Sequence, residues 1–295
     1  MQINFKELSI MEKQNWLQSA IAPRPICFAS TIDSNGNVNL SPFSFFNLFS
    51  YNPAIVIFST TRKVRNNTIK HTLENLLEVP ECVINMVDYE MIQQVSLASC
   101  EFPKGVDEFV KAGFTKIPAT MIKPPMVKEA KIKMECIVKE IKSLGKDGGA
   151  GQLIIAEILC MHVADTVIGA DGMIDQQQLN LVARMGGDWY CKADSNNMFQ
   201  VDKPNSDLGI GIDSLPEGIR MSKILTGNHL GQLSNVQSIP EVNPIFEDDK
   251  LKNIIQYFSI SPSEMEEELH IYAAELLDKK LVQNAWQILL ATEYV

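Results

Sequence analysis

The chain reads as a mainly β protein whose strands run antiparallel, with helices interrupting them rather than alternating with them. Three observations carry that expectation. Residues 25–32 and Val38 to Ser41 flank Asp33-Ser34-Asn35-Gly36-Asn37, a turn whose Asn-Gly pair tolerates positive φ, which is a hairpin signal. Lys131 to Lys139 alternates, with Ile132, Met134, Cys136 and Val138 on one side and Lys131, Lys133, Glu135 and Lys139 on the other. That strand enters a glycine-rich loop, Gly145 to Gly151, and Leu153 to Val163 continues as its partner. Two hairpins far apart in the chain fit an antiparallel barrel or sandwich better than a doubly wound parallel sheet.

The remaining elements follow in order. Residues 54–60 (AIVIFST) form a buried strand. Residues 67–78 place Ile69, Leu73, Leu76 and Leu77 on one helical face, with Asn67 or Thr68 as the cap. Residues 82–87 return as a strand, and Met91 to Ser99 is helical. Composition shifts near residue 200, so the expected organisation is a first domain over 1–200 and a loop-rich, then helical extension over 201–295. A helix is expected around Leu215 to Leu225. Another starts at Ser261-Pro262-Ser263-Glu264, which has the form of a capping box with proline at the first helical position.

Bulk properties exclude several classes. The 295 residues carry a formal net charge of −10, which argues against general nucleic-acid binding, since phosphate neutralisation needs clustered Lys and Arg. Met1 to Pro23 mixes Lys6, Glu7, Glu12 and Lys13 into its apolar residues and offers no secretion signal. The longest apolar run, Leu153 to Ala170, is broken by Glu157, His162 and Asp165, so no membrane span is expected. Six scattered cysteines read as reduced thiols, and the expected address is the cytoplasm. His71, His162, His229 and His270 are widely spaced and no Cys-x-x-Cys occurs, so the sequence supports no metal site. No Walker loop, dinucleotide fingerprint or nucleophile elbow is present, and no catalytic side chain is assigned.

Four stretches carry chemistry, each with a plainer alternative. Ser59-Thr60-Thr61-Arg62-Lys63 gathers hydroxyls and cations between a strand and a helix N-terminus, which a phosphate dianion needs; a solvated loop has the same letters. Ala22-Pro23-Arg24-Pro25 is a rigid extended segment that holds Arg24 in place, or simply leads into the first strand. Ser41-Pro42-Phe43-Ser44-Phe45-Phe46-Asn47 interleaves aromatics with hydroxyls and an amide, either a slot for a planar heteroaromatic ring or ordinary core. Arg184-Met185-Gly186-Gly187-Asp188-Trp189-Tyr190 borders a ligand or makes a glycine turn.

Together these stretches, with Ser30-Thr31, Asn39-Leu40 and Pro53, occur in one order and spacing that resembles the flavin reductase-like family, including its flavoredoxin branch, over roughly residues 15–195. The resemblance implies a six-stranded antiparallel split barrel with flanking helices, a homodimer, and non-covalent FMN near the subunit interface. Carried over by position, Ser59, Thr60, Arg62 and Lys63 hold the phosphate, while Asn67 and Thr68 stand where the family often has Asp-Thr. Ser44 and Asn47 sit by the isoalloxazine, with Arg24, Pro25 and Thr31 nearby. The implied activity is an NAD(P)H-dependent flavin reductase: hydride passes from NADH or NADPH to flavin N5 and electrons leave to an acceptor. The alternative is a non-enzymatic electron-transfer or FMN-storage protein served by a redox partner protein. Reduced flavin gathers negative charge at its pyrimidine end, so Arg24, or else Arg184, is expected to raise its reduction potential.

Overall fold

A computed structural model describes residues 1–204 and 207–291, and the chain divides into two compact units, Met1–Phe199 and Gln200–Val295. The strands of the first unit are β1 (Arg24–Pro25), β2 (Cys27–Ile32), β3 (Val38–Phe43), β4 (Phe46–Tyr51), β5 (Ala54–Thr61), β6 (Glu81–Met86), β7 (Lys116–Ile117), β8 (Met126–Val127), β9 (Ile132–Ser143), β10 (Gly151–Val163), β11 (Val182–Arg184) and β12 (Tyr190–Lys192). Its helices are α1 (Ile10–Ala20), α2 (His71–Glu78), α3 (Ile92–Ala98), α4 (Glu108–Ala112) and α5 (Gln176–Leu179).

The main sheet has the order β3-β2-β6-β9-β10-β5-β4, and every neighbouring pair is antiparallel. It therefore has seven strands where six were expected. The extra one is β4, whose first residues belong to the stretch read in the sequence as a slot for a planar ring or ordinary core, with no strand assigned. Its residues are mostly exposed on both faces, so the alternation that marks a half-buried strand is missing. The outer strands β3 and β4 are separated in the chain only by Ser44 and Phe45. Three Cα steps span at most about 11 Å, so the sheet must curl until its edges nearly meet. Inside the curl lie Cys27, Ala29, Phe43, Phe58, Ile84, Met134, Cys136, Ile154 and Ala156, with the Phe43 and Phe58 ring centroids 5.4 Å apart. On the outer face, Phe28 and Leu40 pack against Met91, Val95 and Phe109 from the segment carrying α3 and α4.

Several local expectations shift. α2 begins at His71, four residues later than the pattern suggested, with Lys70 as an N-cap that makes no side-chain bond. Asn67 adopts φ 55, a left-handed conformation that holds the chain in a turn and delays the helix. Leu73 and Leu76 are buried as expected, but Leu77 is 64% exposed. The charged side of β9 is covered along part of its length: Lys133 and Glu135 are both buried. Around Leu215 to Leu225 there is only a short helix, because the Ser222 hydroxyl accepts from the Ile224 and Leu225 N–H groups and diverts the backbone.

The second unit holds α6 (Glu217–Arg220), α7 (Gly227–Leu233), α8 (Asp249–Tyr257), α9 (Pro262–Asp278) and α10 (Val282–Leu289). Thr226 caps α7 by accepting from the His229 N–H at 3.3 Å. α9 starts at Pro262, although Ser261 makes no side-chain cap bond, so the box is present in letters only. Trp286 is fully buried among Leu233, Leu269, Leu277 and Ile288, and its indole N–H donates to the Leu233 carbonyl at 3.2 Å. The end of the expected C-terminal helical stretch, residues 292–295, lies outside the described residues, as do residues 205–206. Among the described residues, no helix is long and apolar enough to cross a membrane.

Candidate functional site

β5 ends at Thr61, and the bend that follows is built largely from backbone bonds. The Arg62 N–H donates to the Ala150 carbonyl at 2.9 Å, and the Gly149 N–H returns to the Arg62 carbonyl at 2.9 Å, so the glycine-rich loop is laced to the bend. Gly148 lies so close that an added Cβ would sit 3.0 Å from the Val64 backbone. Lys63 N–H donates to the Thr68 carbonyl and Asn67 N–H to the Lys63 carbonyl, closing a tight loop over residues 63–68. Arg62 locks it: its Nε donates to Asn67 Oδ1 at 2.6 Å and its terminal nitrogen to the Asn67 carbonyl. Thr68 turns inward on the same loop, its hydroxyl donating to Asn66 Oδ1 at 2.9 Å.

The electrostatics of this bend run against the acidic chain. Lys63 Nζ and Arg65 converge on one carboxylate oxygen of Glu101, at 3.2 and 3.1 Å. Lys63, the hydrogen-bonding partner, holds the Glu101 carboxyl below its usual range. Lys63, Lys70 and Arg65 thus act together on the Glu101 carboxylate, Arg62 adds a fourth cation to the bend, and the N-terminus of α2, which has no side-chain cap, adds the positive end of its dipole. A small cleft beside them is lined by Ser41, Lys63, Lys70 and His71 and by two acids, Glu101 and Glu108. Lys70 and His71 lie close in sequence to the bend yet were not assigned to the site, and Glu101 had no signal in the sequence, because it lies about forty residues beyond the bend and only the fold brings it back.

The expected phosphate set is divided by the strand itself. Successive residues of β5 point to opposite faces. Val56 and Phe58 face the barrel interior, so Thr60 does too, opposite Gln152. Thr60 Oγ1 and Gln152 Nε2 are both buried without a hydrogen-bond partner. Ser59 faces outward beside Gly151, 3.0 Å from where a Cβ on that glycine would lie. The cationic bend, together with Ser59, fits a phosphate group; Thr60 stands behind it.

The aromatic stretch splits in the same way. Phe43 and Phe46 belong to the barrel core, while Phe45 is exposed. Ser44 is half-buried, and Asn47 is exposed with its Oδ1 accepting from the Leu48 N–H at 2.8 Å. Thr31 is fully buried and its hydroxyl accepts from Asn75 at 3.1 Å, so it braces α2 and shows no surface to a ligand.

Arg24 and Pro25 form β1, which pairs with β11 in register Arg24↔Arg184 and Pro25↔Ala183. The buried Arg24 guanidinium donates to the carbonyls of Gln18, Ile21 and Met185. Burial first, then the Arg184 charge, lowers its pKa from the ordinary value. It ties α1 to the Met185 turn rather than reaching a cleft. Arg184 is better placed: its guanidinium lies 4.5 Å from the Tyr190 ring centroid and donates to the Gly187 carbonyl at 2.6 Å. Together with Tyr89, Ser96, Tyr190 and Lys192 it lines a cavity of about 410 Å³.

A family described as "Flavin reductase like domain" matches residues 19–179. An uncharacterised protein of Halalkalibacterium halodurans is 34% identical over 206 residues, 69% of this chain and 97% of its own. Nitrilotriacetate monooxygenase component B from Bacillus cereus is 29% identical, superposes with a TM-score of 0.64, and covers 68% of this chain and 98% of its own. A putative flavin reductase with a split barrel domain from Shewanella frigidimarina is 25% identical with a TM-score of 0.59, covering 69% and 99%. The curled antiparallel sheet with flanking helices is thus a split-barrel fold, and the matched span exceeds half of the 295 residues: the chain belongs to the flavin reductase like domain family.

Proposed function

We propose that the chain binds FMN non-covalently and works as a flavin oxidoreductase that takes its electrons from NADH or NADPH. The observation that carries this reading is the bend after β5, where Arg62, Lys63, Arg65 and Lys70 outnumber the two acids of the cleft, Glu101 and Glu108, in a chain of net charge −10. A dianionic phosphate balances such a cluster, and helix N–H groups favour it further. In this assignment Lys63 and Ser59 contact the phosphate, with Arg62, Asn67 and Thr68 holding the bend in shape. Ser44 and Asn47 border the ring system. Arg184 supplies positive charge for the pyrimidine end, the role expected of Arg24, whose two terminal guanidinium nitrogens are engaged by carbonyls while its Nε is buried without a partner. Arg24, Pro25, Thr31 and Thr60 support these residues from behind.

When bound, FMN supplies the hydride acceptance and the onward electron delivery that no side chain here offers. The protein binds, orients and tunes. The exposed apolar residues Phe45, Leu48, Phe49 and Tyr51 on and beside the sheet-edge strand β4 support a homodimer that covers them.

The test is anaerobic addition of NADH and NADPH to the protein saturated with FMN. Bleaching of the flavin band supports a reductase. A yellow protein that stays oxidised, yet is reduced by dithionite, would instead favour a carrier fed by a partner protein. A protein that binds no FMN removes the reading altogether.

A further inference from the structure

On the outer face of the sheet, away from the cationic bend, three metal-ligating side chains meet. Glu135 lies on β9, and Cys160 and His162 lie on β10. A β-bulge brings them together. Up to Ile158, even-numbered residues of β10 face the barrel interior, as Ile154 and Ala156 show. The register then slips between Ile158 and Cys160, leaving Leu159 unpaired, so Cys160 falls opposite Glu135 and His162 opposite Lys133. The extra residue reverses the parity of the strand. Cys160 and His162 therefore share the outer face with Glu135 instead of pointing into the core.

His162 Nε2 lies 2.6 Å from Glu135 Oε1 and 3.7 Å from Cys160 Sγ, and all three ligand atoms lie within 4.8 Å of one another. The carboxylate is fully buried, yet among the described residues it has no Lys or Arg partner within ion-pair distance. Lys133, its neighbour on β9 by alternation, turns its ammonium to the Ala130 carbonyl instead. Glu135 is held by neutral donors: the Thr120 N–H and hydroxyl at 2.8 and 2.7 Å, the Met121 N–H at 2.7 Å and the Ile122 N–H at 3.2 Å. Beyond these uncharged donors, the buried anion has, among the described residues, only the His162 imidazole, a cation when protonated, to balance it, and a thiol stands beside the pair.

We propose that Glu135, Cys160 and His162 bind one zinc-like divalent cation through Oε1, Sγ and Nε2, with a fourth position open to solvent at the half-exposed Cys160 and His162. Oxygen, nitrogen and sulfur ligands together suit zinc, and tetrahedral bonds of about 2.0–2.3 Å separate neighbouring ligand atoms by roughly 3.2–3.8 Å. The Cys160–His162 spacing meets that already, and the carboxylate–imidazole contact opens by roughly half an ångström. The charges balance: a thiolate, a carboxylate and a neutral imidazole against a dication. Loading releases the Cys160 thiol proton, and any second proton on His162, to solvent. The Thr120–Ile122 N–H groups then act as the outer hydrogen bonds that orient the carboxylate ligand. The proposal is independent of the flavin reading.

The experiment uses the full chain with zinc chloride as the probe. Metal content after equilibrium dialysis should reach one zinc per chain, and the alkylation rate of Cys160, read at its own peptide by mass spectrometry, should fall about tenfold with zinc. Cys160→Ser and His162→Gln should each weaken zinc binding by about tenfold or more, with unchanged circular dichroism. Unprotected Cys160 in the zinc-treated wild type overturns the proposal without recourse to any variant. So does zinc binding that survives both substitutions.

Discussion

Arg62 and Asn67 clasp the bend after β5 from two sides, the guanidinium Nε donating to Asn67 Oδ1 at 2.6 Å while Asn67 Nδ2 donates to the Lys146 carbonyl at 3.0 Å. The amide thus joins the bend to the glycine-rich loop between β9 and β10. It does so from a left-handed backbone at φ 55, a conformation that asparagine tolerates better than most residues. Asn67→Ala loses both side-chain bonds and strains the backbone, which should cost about 1–3 kcal/mol. FMN affinity should fall about tenfold, by loss of shape rather than of charge. Asn67→Gly keeps the backbone and should recover part of the stability. Thermal unfolding and flavin fluorescence titration check both, and wild-type FMN affinity in Asn67→Ala would detach the clasp from the site.

Thr60 separates two readings of the hydroxyl-rich strand end. Its Oγ1 is buried, faces the barrel interior and has no hydrogen-bond partner. Replacing a buried unpaired polar group by an apolar one of similar shape is neutral or stabilising, here by up to about 1 kcal/mol. Thr60→Val should therefore leave FMN affinity unchanged and hold or raise the unfolding midpoint. A large loss of FMN binding would place Thr60 back in the phosphate site.

Arg24 and Arg184 should behave differently although they face each other across β1 and β11. Arg24→Ala leaves the Met185 and Gln18 carbonyls short of a charged donor and should destabilise the fold by about 2–3 kcal/mol. Arg184→Gln removes a half-exposed charge and should spare stability while lowering the flavin midpoint potential. Redox titration against reference dyes decides the matter: an unchanged potential in Arg184→Gln ends its assigned role.

Glu135 links one sheet face to acid stability. Burial alone raises its carboxyl, but the hydrogen bonds from Thr120, His162 and Met121 outweigh that and bring it down to about 2. Its folded-state value is thus below its unfolded one. The stabilisation is fully present above the ordinary carboxyl value of 4.5 and is lost as pH falls from there through about 2. Urea midpoints followed from neutral pH to pH 3 should drop in the wild type, and Glu135→Gln should start lower but show a shallower fall. Parallel curves would contradict the assignment.

Trp286 should anchor the second unit. It is fully buried, whereas Trp16 and Trp189 are exposed, so its emission should be the blue-shifted component of the fluorescence. Trp286→Ala empties the centre of that core and should cost about 3–5 kcal/mol. The expected sign is loss of the blue component and early proteolysis within residues 200–291; an unaltered protease pattern would count against it.

Much of the first unit was legible because its signals are local. The Asn-Gly turn between β2 and β3 and the alternation along β9 need only neighbours in the chain. β4 was not legible, since an edge strand exposed on both faces carries no period-2 contrast. Leu77 looked like core from helical spacing, yet lies just outside the arc that α2 buries. The cationic bend could be named from Arg62 and Lys63, but their shared partner Glu101 comes from a distant loop.

By itself the sequence determined the long, half-buried strands of the main sheet, where the first hairpin turns, and which stretch concentrates positive charge, because propensity, turn chemistry and charge act over a few residues. Only the tertiary structure decided what those residues face. It turned Thr60 and Thr31 into the interior, engaged Arg24 with backbone carbonyls, and set Cys160 against Glu135 through a single unpaired residue at Leu159. In a sheet, the face a side chain takes depends on register summed along the whole strand and its partner, and one bulge reverses it.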